Sequence, residues 1–288
     1  MLLETAPPTT RATTGAVPKR PRRTGTLDTV MGIGVVAILL FPIYWMVNVS
    51  LQPGGRAVGT SWFPFSPDLA GYATAFADQS TNLVTSLLVA SGSVVFSLLI
   101  AAPAAYALAQ FRLRGLNVLL FAILISQMIP GIVVANALYS VYSDLGLLNS
   151  LLGLIVADSS AGIPFGILIM RAFMTQLPVS VIEAARVDGA GQIRAFVSIV
   201  LPMSRNALIT AALFTFLFTW GDFLFALTLT TTNTVQPITL GLYSYLGTYV
   251  SDWSAVMATA VIASIPAIVL LGIAQRYIAA GTTGGAVK

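Results

Sequence analysis

The chain has 288 residues, of which 57% are hydrophobic and only 8% are charged, and its formal net charge is +4. A soluble domain carries about 25% charged residues, so this composition excludes a water-soluble protein and indicates an integral membrane protein. The sequence contains no cysteine and no histidine, which excludes disulfides, thiolate chemistry, imidazole ligation of metals and the usual general base of enzymes.

The first 26 residues are rich in Thr, Pro and Arg and contain few apolar side chains. Such a composition cannot bury a hydrophobic core, so residues 1–26 are predicted to form a disordered cytoplasmic tail. A signal peptide is the alternative. However, the apolar run over residues 29–49 is too long for one and lacks a small-residue cleavage site near its end. We therefore predict an uncleaved first span, with residues 27–288 forming one six-span domain.

Five further apolar stretches predict membrane spans, each of about 20 residues or a little more, as ~30 Å of hydrocarbon requires. Pro130 and Gly131 predict a break inside the third span, and Gly162 and Pro164 predict another inside the fourth. Residues 51–82, with several prolines, glycines and aromatic residues, are expected to form an irregular external loop. The predicted fold is all-α, a polytopic membrane protein with six transmembrane helices. The five stretches cover residues 83–109, 116–139, 151–173, 207–229 and 255–278.

Basic residues predict the orientation of these spans. Of the 14 basic residues, 13 fall on one side of the six-span arrangement, and only Arg56 falls on the other. The opposite side carries aspartates instead. Because basic residues concentrate in cytoplasmic loops, both termini and residues 177–202 are predicted to be cytoplasmic.

Residues 177–202 lie between the fourth and fifth spans and combine charges of both signs with a helical pattern. Ser180 stands three residues before Glu183, which is the spacing of a capping box. In that arrangement the hydroxyl and the carboxylate satisfy free N–H groups at the start of a helix. The pattern therefore predicts a short helix that ends near Asp188.

Two glycines, Gly189 and Gly191, are expected to interrupt this helix. A second short helix is predicted to follow, with one apolar stripe formed by Ile193, Phe196, Val197 and Val200. Pro202 should stop that helix or kink it into the fifth span. Two short helices hinged at glycine would form a compact projection that another protein could grip.

Three groups of residues in this segment keep a fixed spacing: Glu183-Ala184-Ala185, Asp188-Gly189-Ala190 and Ile199-x-Leu201-Pro202. Together they resemble the EAA loop of ABC-importer permeases, which docks into a cleft on the ATP-hydrolysing subunit. A helix pair that only links two spans is the alternative. The resemblance implies a coupling role for Ser180, Glu183, Ala184, Ala185, Asp188, Gly189, Ala190, Phe196, Ile199, Leu201 and Pro202.

Other motifs extend the resemblance to about residues 30–288. They include Ala105-Tyr106-Ala107-Leu108-Ala109, Gln127-Met128-Ile129-Pro130, Leu145-Gly146-Leu147-Leu148-Asn149, Trp220-Gly221-Asp222-Phe223 and the closing Gly284-Gly285-Ala286-Val287-Lys288. These motifs are similar to those of the second, maltose-G-like permease subunit of carbohydrate importers. Gln110 and Gly221 depart from the family pattern, which commonly has a basic residue and an asparagine there.

This resemblance implies a bacterial inner-membrane subunit that imports a sugar. Its implied partners are a second homologous permease, two ATPase subunits and an extracytoplasmic sugar-binding protein. Neither lysine of the chain, Lys19 or Lys288, lies in a Gly-x4-Gly-Lys-Ser/Thr loop that could cradle phosphates. ATP and Mg are therefore expected on the ATPase subunits, and this chain is expected to bind no cofactor and to catalyse no reaction.

Two alternatives to sugar import stay open. An ABC permease for another solute would carry a similar loop. An ion-coupled secondary transporter would need carboxylates within the membrane, and only Asp158 and Asp222 qualify. The sequence shows no basic residue at similar depth and no inverted repeat that would support the second alternative.

Four residues are candidates for the translocation pathway: Asp158, Trp220, Asp222 and Phe223. An aromatic ring can stack on the apolar face of a pyranose while a carboxylate accepts hydrogen bonds from its hydroxyl groups. For Asp158 the alternative is a water-exposed position at the end of a span. For Asp222 the alternative is a hydrogen bond that packs helices.

Residues 230–253 form a predicted external segment that is longer than the two to eight residues of a simple link. Its hydroxyl and amide groups, interleaved with tyrosines, can hydrogen-bond a partner at little desolvation cost. The family resemblance implies that this partner is the sugar-binding protein, while packing on the span ends is the alternative. The expected contact residues are Thr231, Thr232, Asn233, Thr234, Val235 and Gln236.

Overall fold

A computed structural model describes residues 25–54, 60–246 and 252–283, with Leu246 and residues 276–283 described by their backbone alone. The predicted tail, apart from Gly25 and Thr26, and the closing motif at residues 284–288 lie outside the described residues. Twelve α-helices and no strand occur in the described ranges, which confirms the all-α class.

The helices alternate between long apolar rods and short pieces. A π-helical turn, Phe196–Val200, joins α7 to α8. The helices are α1 (Thr26–Ser50), α2 (Ala70–Gln110), α3 (Leu116–Ser126), α4 (Gly131–Leu145), α5 (Leu151–Met174), α6 (Val179–Val187), α7 (Gln192–Ala195), α8 (Leu201–Met203), α9 (Arg205–Trp220), α10 (Leu224–Leu229), α11 (Ile238–Leu246) and α12 (Trp253–Thr283).

The chain divides into two compact units, Met1–Tyr44 and Trp45–Lys288. Within the first unit, helix α1 exposes apolar side chains all around its circumference, including Val30, Ile33 and Ile38. A helix that is apolar on every face is typical of one surrounded by lipid. The second unit holds the rest of the helices and every site discussed below.

Four helices are long and apolar enough to cross a membrane: Thr26–Ser50, Ala70–Gln110, Leu151–Met174 and Trp253–Gln275. Two bent pairs, α3 with α4 and Gln192–Met203 with α9, pass the same test when each pair is joined. The described residues therefore provide four spans, or up to six if each bent pair is one span. Either number makes the chain a multi-pass membrane protein.

Small residues let α2, α5 and α9 pack closely in the centre of the second unit. A Cβ atom placed on Gly162 of α5 would lie 2.7 Å from Ser97 Oγ on α2 and 2.7 Å from Thr215 Cγ2 on α9. Gly166, one turn further, faces Ala101 in the same way. Without these glycines the backbones could not approach, as is common between helices in membranes.

Helix α2 starts at Ala70, so the predicted loop over residues 51–82 is wrong from Ala70 onwards. The polar side chains there do not mark a loop, because they are used in helix packing. Gln79 is buried and its Nε2 donates a hydrogen bond to the carbonyl oxygen of Gly241 on α11 (3.4 Å). Gly71 lies against Ser254 at the start of α12.

The predicted break in the third span is confirmed. Helices α3 and α4 meet at 90°, with the break between Ser126 and Gly131. Pro130 stands just before α4 with φ −58° and ψ 131°, and proline is well suited to the residue that precedes or begins a helix.

The predicted break in the fourth span is wrong, because α5 continues through Gly162 and Pro164. Gly162 serves close packing and does not end the helix. Pro164 removes one N–H from the ladder, but neighbouring helices can stabilise such a helix in the membrane. Ser150 caps this helix, accepting a hydrogen bond from Gly153 N at 2.9 Å.

The fifth predicted span, residues 207–229, is not one helix. Helix α9 ends at Trp220 and α10 begins at Leu224. The segment predicted to be an external loop also contains a helix, α11, whose Ile238 N donates to Ser86 Oγ on α2 (2.7 Å). The two differences are linked, because Thr239 Oγ1 of α11 donates a hydrogen bond to the backbone oxygen of Asp222, in the break between α9 and α10.

Candidate functional site

Helix α6 ends in a glycine-based stop. Gly189 has φ +84°, a left-handed conformation that favours glycine. The N–H of Ala190 donates to Ala185 O (2.9 Å), and the N–H of Gly189 donates to Arg186 O (3.1 Å). This pair of hydrogen bonds is the Schellman motif, so the predicted glycine hinge is confirmed.

The predicted capping box at the start of α6 is wrong. The helix begins at Val179, Pro178 precedes it with φ −61° and ψ 116°, and no side chain caps its N-terminus. Ser180 therefore lies inside the first turn, where its hydroxyl cannot form the bond expected of an N-cap. Proline fixes the entry backbone in place of a side-chain cap.

One face of the 177–202 segment is buried in the bundle. Ile182 of α6 and Val200 of the π-helical turn belong to the same core cluster as Ala105 of α2 and Met174 of α5. The ring of Phe196 packs against that of Tyr106 on α2, with centroids 5.1 Å apart. The short helices are thus fixed to the membrane-spanning helices by apolar contact.

The opposite face of this segment exposes apolar side chains. Val187 is 87% exposed and Ile193 is 81% exposed, and they stand on either side of the Gly189 turn. The predicted stripe is therefore only partly correct, since Ile193 and Val197 face outwards while Phe196 and Val200 face inwards. A π-helical turn contains more residues than an α-helical turn. It therefore rotates the side chains that follow away from the α-helical spacing on which the predicted stripe was based.

The remaining residues expected to couple to an ATPase divide between these faces. Ala185 is buried, Ala190, Phe196, Ile199 and Leu201 are half-buried, and Ser180, Glu183, Ala184, Asp188 and Pro202 are exposed. Just after Pro202 the chain bends by 78° into α9. The predicted kink is confirmed, although a separate short helix, α8, carries the proline.

A cleft of about 530 Å³ opens between the α3–α4 bend and helices α5, α9 and α10. Gln127 lies at the bend and lines the cleft. Its Nε2 donates a hydrogen bond to Ala161 O on α5 (3.4 Å). The wall combines aromatic and small polar side chains: Phe165, Phe214, Phe218, Phe225, Ser126, Gln127, Ser160 and Thr215. Such a combination is common where proteins bind small polar molecules.

Sequence reasoning did not find this cleft. The one available signal was Phe214 and Phe218, which are four residues apart and therefore share a face of α9. None of the predicted pathway residues (Asp158, Trp220, Asp222 and Phe223) lines it. Their assignment to the pathway stays a prediction.

Asp158 is buried, with 2% of its surface exposed, so the alternative of a water-exposed end-of-span residue is wrong. Its Oδ1 finds no hydrogen-bond partner among the described residues, and neither does the hydroxyl of Tyr142 on α4. The side chain lies among the packed helices rather than on an open surface.

Asp222 caps a helix. Its Oδ2 accepts hydrogen bonds from the backbone N–H groups of Phe225 (3.1 Å) and Ala226 (3.2 Å), which satisfies free donors at the start of α10. Its backbone oxygen also accepts from Thr239 Oγ1 (2.6 Å). The alternative was a packing hydrogen bond from Asp222 to the third or sixth span. The carboxylate instead bonds to the helix that follows it.

Trp220 and Phe223 are engaged in packing beside it. The indole Nε1 of Trp220 donates to Ala263 O on α12 (2.9 Å), and its ring stacks on Phe216 with centroids 5.4 Å apart. The ring of Phe223 lies 5.1 Å from that of Tyr243. In this conformation neither ring presents an open face in the cleft.

The loop of residues 231–236 is held by Asn149, which precedes α5. Asn149 Oδ1 accepts from Thr231 N (2.7 Å) and Thr232 N (2.9 Å), and its own N–H donates to Leu229 O (3.0 Å). Asn149 has φ +57°, a conformation that asparagine tolerates better than most residues. Four residues at the tip remain exposed, whereas Val235 and Gln236 are half-buried: Thr231, Thr232, Asn233 and Thr234.

Comparison with known proteins gives this arrangement a family. A model described as "Binding-protein-dependent transport system inner membrane component" matches residues 93–284, which is most of the chain. The chain belongs to this family. It is therefore a membrane subunit of a transport system. This confirms the resemblance of its sequence motifs to those of permeases.

Two relatives of this inner membrane component are similar over nearly their whole length. A probable ABC transporter permease protein of Sinorhizobium fredii is 36% identical over 87% of this chain and 91% of its own. The diacetylchitobiose uptake system permease protein DasC of Streptomyces coelicolor is 33% identical over 87% of this chain and 92% of its own.

A solved structure shows the same fold. The crystal structure of a bacterial ABC transporter involved in the import of the acidic polysaccharide alginate has a chain that superposes with a TM-score of 0.76. The match covers 91% of this inner membrane component and 99% of that chain at 24% identity. At that identity the likeness supports the fold alone.

Proposed function

We propose that this chain is the permease subunit of an ATP-driven ABC importer that takes up a sugar delivered by an extracytoplasmic binding protein. The 177–202 segment carries the proposal, because one of its faces is buried against α2 and α5 while the other exposes Val187 and Ile193. A segment with these two faces can transmit a partner's movement into the membrane helices. The family match and the name of the Streptomyces relative support transport of a sugar.

The proposed topology has six spans in one domain of residues 27–288, with a cytoplasmic tail over residues 1–26. Each span corresponds to α1, α2, the α3–α4 pair, α5, α9 continued by α10, or α12. Thirteen of the 14 basic residues then lie on the cytoplasmic side with both termini, in a bacterial inner membrane.

In this topology the 177–202 segment is a cytoplasmic EAA coupling loop. Exposed Val187 and Ile193 provide apolar area for a cleft on an ATPase subunit. Exposed Asp188 lies between them in the sequence, and exposed Glu183 lies about one turn before Val187. An exposed apolar patch rimmed by charge is typical of a protein contact. ATP and Mg would bind to two such ATPase subunits, and this chain would hold neither.

The cleft beside α9 supports a second permease as the next partner. It opens on one side of this chain, and a homologous subunit across it would enclose a path for a solute. On the external side, the exposed tip of residues 231–236 is the proposed contact with the sugar-binding protein. Its fixed attachment through Asn149 allows it to keep its shape during docking.

The direct test is purification and reconstitution of the complete complex through a tag on this chain. An ATPase and a second permease should co-purify, and proteoliposomes supplied with the binding protein and ATP should take up a labelled sugar. Trehalose, maltose and diacetylchitobiose are suitable first probes. Uptake driven by a proton gradient without ATP would favour an ion-coupled transporter, and uptake of only amino acids or peptides would favour another ABC permease.

A further inference from the structure

The cleft between the α3–α4 bend and helices α5, α9 and α10 has a wall without charge. Among the described residues that line it, none is Asp, Glu, Lys or Arg. Neither acidic residue of the membrane region lines the cleft: Asp158 is buried among helices, and Asp222 caps α10. A solute in the cleft would therefore meet no counter-charge from this chain.

The polar groups of the wall are neutral and can serve hydroxyl groups as both donors and acceptors. Gln127 supplies an amide at the bend, and Ser160 supplies an exposed hydroxyl on α5. Pro164 has no N–H, so the backbone carbonyl of Ser160 lacks its usual partner four residues later. Thr215 also lines the cleft, but its Oγ1 is buried, so the groups offered to a solute are those of Gln127 and Ser160.

Aromatic rings complete the wall. Phe165 of α5 and Phe214 of α9 lie with ring centroids 5.0 Å apart, and Phe218 continues the same face of α9. Phe214 and Phe218 are both exposed. Rings of this kind can cover the apolar C–H faces of a sugar while the neutral polar groups meet its rim.

We infer that this cleft passes uncharged, hydroxylated solutes and rejects ions of either sign, so that the sugar carried is a neutral one. This inference rests on the proposed function and specifies its substrate class. An ion that enters a membrane-embedded cleft loses hydration, and without a counter-charge that loss is not compensated. A neutral sugar loses less hydration free energy than an ion, and its hydroxyl groups can form hydrogen bonds with Gln127 and Ser160.

Thiol labelling tests the charge exclusion without knowledge of the substrate, because the chain contains no cysteine. Ser160→Cys places a thiol in the cleft, and Asn233→Cys places a control thiol on the exposed 231–236 loop. Both variants are assembled into the complete importer with cysteine-free partners. Three methanethiosulfonate reagents of similar size are compared during basal ATP turnover without the binding protein, so that residue 233 stays uncovered: a neutral hydroxyethyl, an anionic sulfonatoethyl and a cationic trimethylammonioethyl reagent.

The expected result is a rate ratio of charged to neutral reagent that is at least about tenfold lower at residue 160 than at residue 233, for both signs of charge. Equal ratios at the two positions would overturn the inference. Rejection of only one sign would overturn it too, because the pathway would then hold a charge. Failure of the neutral reagent to react at residue 160 would also overturn the inference, because the cleft would then be closed to uncharged solutes.

Uptake by the reconstituted importer separates this inference from the proposed function. Trehalose serves as the neutral probe, glucosamine as the cationic probe and a uronate-containing disaccharide as the anionic probe. Uptake of either charged sugar at the rate of a neutral one would overturn the inference. Uptake of no sugar would contradict the proposed function, and the labelling ratios would still decide whether the cleft excludes ions.

Discussion

The ring of Tyr106 on α2 packs against the ring of Phe196 in the π-helical turn, with centroids 5.1 Å apart. This contact joins the longest helix of the chain to the proposed coupling loop. Tyr106 is buried and also contacts Phe111 edge-on, at 6.0 Å between centroids. The aromatic group therefore lies where movement of the loop would reach the membrane helices.

Phe196→Ala should weaken coupling between ATP hydrolysis and uptake. The change removes an aromatic pair that contributes about 0.5–1.5 kcal/mol beyond the buried area. We expect fewer sugar molecules imported per ATP hydrolysed, with Phe196→Leu intermediate. Simultaneous measurement of uptake and phosphate release in proteoliposomes checks this. An unchanged ratio in Phe196→Ala would show that the contact only stabilises the fold.

Gly189→Val should disturb the turn between α6 and α7. A β-branched residue at φ +84° costs about 1–2 kcal/mol, so the turn would shift and move Val187 and Ile193 apart. The variant should insert normally but hydrolyse ATP without importing sugar. Gly191→Val is the matched control, because Gly191 has φ −64° and open space where a Cβ would lie. Equal loss of uptake in both variants would contradict a specific role for the left-handed turn.

Asp222→Asn should retain most transport, because an amide oxygen can still accept from the N–H groups of Phe225 and Ala226. Asp222→Leu should lose the cap at a cost of about 1 kcal/mol and lower the thermal stability of the purified complex. Uptake assays and melting temperatures of both variants check this. If Asp222→Asn abolished uptake, the carboxylate would have a role in transport that capping does not explain.

Replacement of residues 231–236 with a Gly-Ser linker should weaken stimulation of the ATPase by the binding protein. Basal ATPase activity and assembly should persist, since residues 231–234 are exposed and bond mainly to Asn149, and only Val235 packs against the helices. Asn149→Ala provides a milder test, because it leaves the loop sequence intact and removes its anchor. Full stimulation in the linker variant would assign the loop a structural role only.

Local backbone chemistry explains which features the sequence could predict. The break at Pro130 and the end of α6 at Gly189 depend on residues whose own φ preference decides the structure. The capping box at Ser180 was placed two positions too late, because Pro178, which has no hydroxyl group, precedes the first residue of the helix. The start of a helix depends on the backbone of its whole first turn, and the spacing between two residues does not describe that backbone.

Tertiary packing explains what the sequence could not provide. Gly162 and Pro164 looked like a break, yet Gly162 is needed for contact with Ser97 and Thr215 from two other helices. The break after Trp220 contains the carboxylate of Asp222, which caps α10, and no proline. A carboxylate within a predicted span suggested a translocation pathway, so the break itself was not predicted. The cleft depends on the 90° angle between α3 and α4, which no local pattern encodes.

Helix α2 has 41 residues and is about 60 Å long, twice the thickness of the hydrocarbon layer. Near one end, Gln79 contacts α11, and near the other, Tyr106 contacts Phe196, about 40 Å away along the axis. Pro103 lies between the two contacts, about one turn before Tyr106, and the helix continues through it to Gln110. A tilt of the whole helix by about 10° around one contact would displace the other by about 7 Å, so movement at Gln79 would reach the proposed coupling loop.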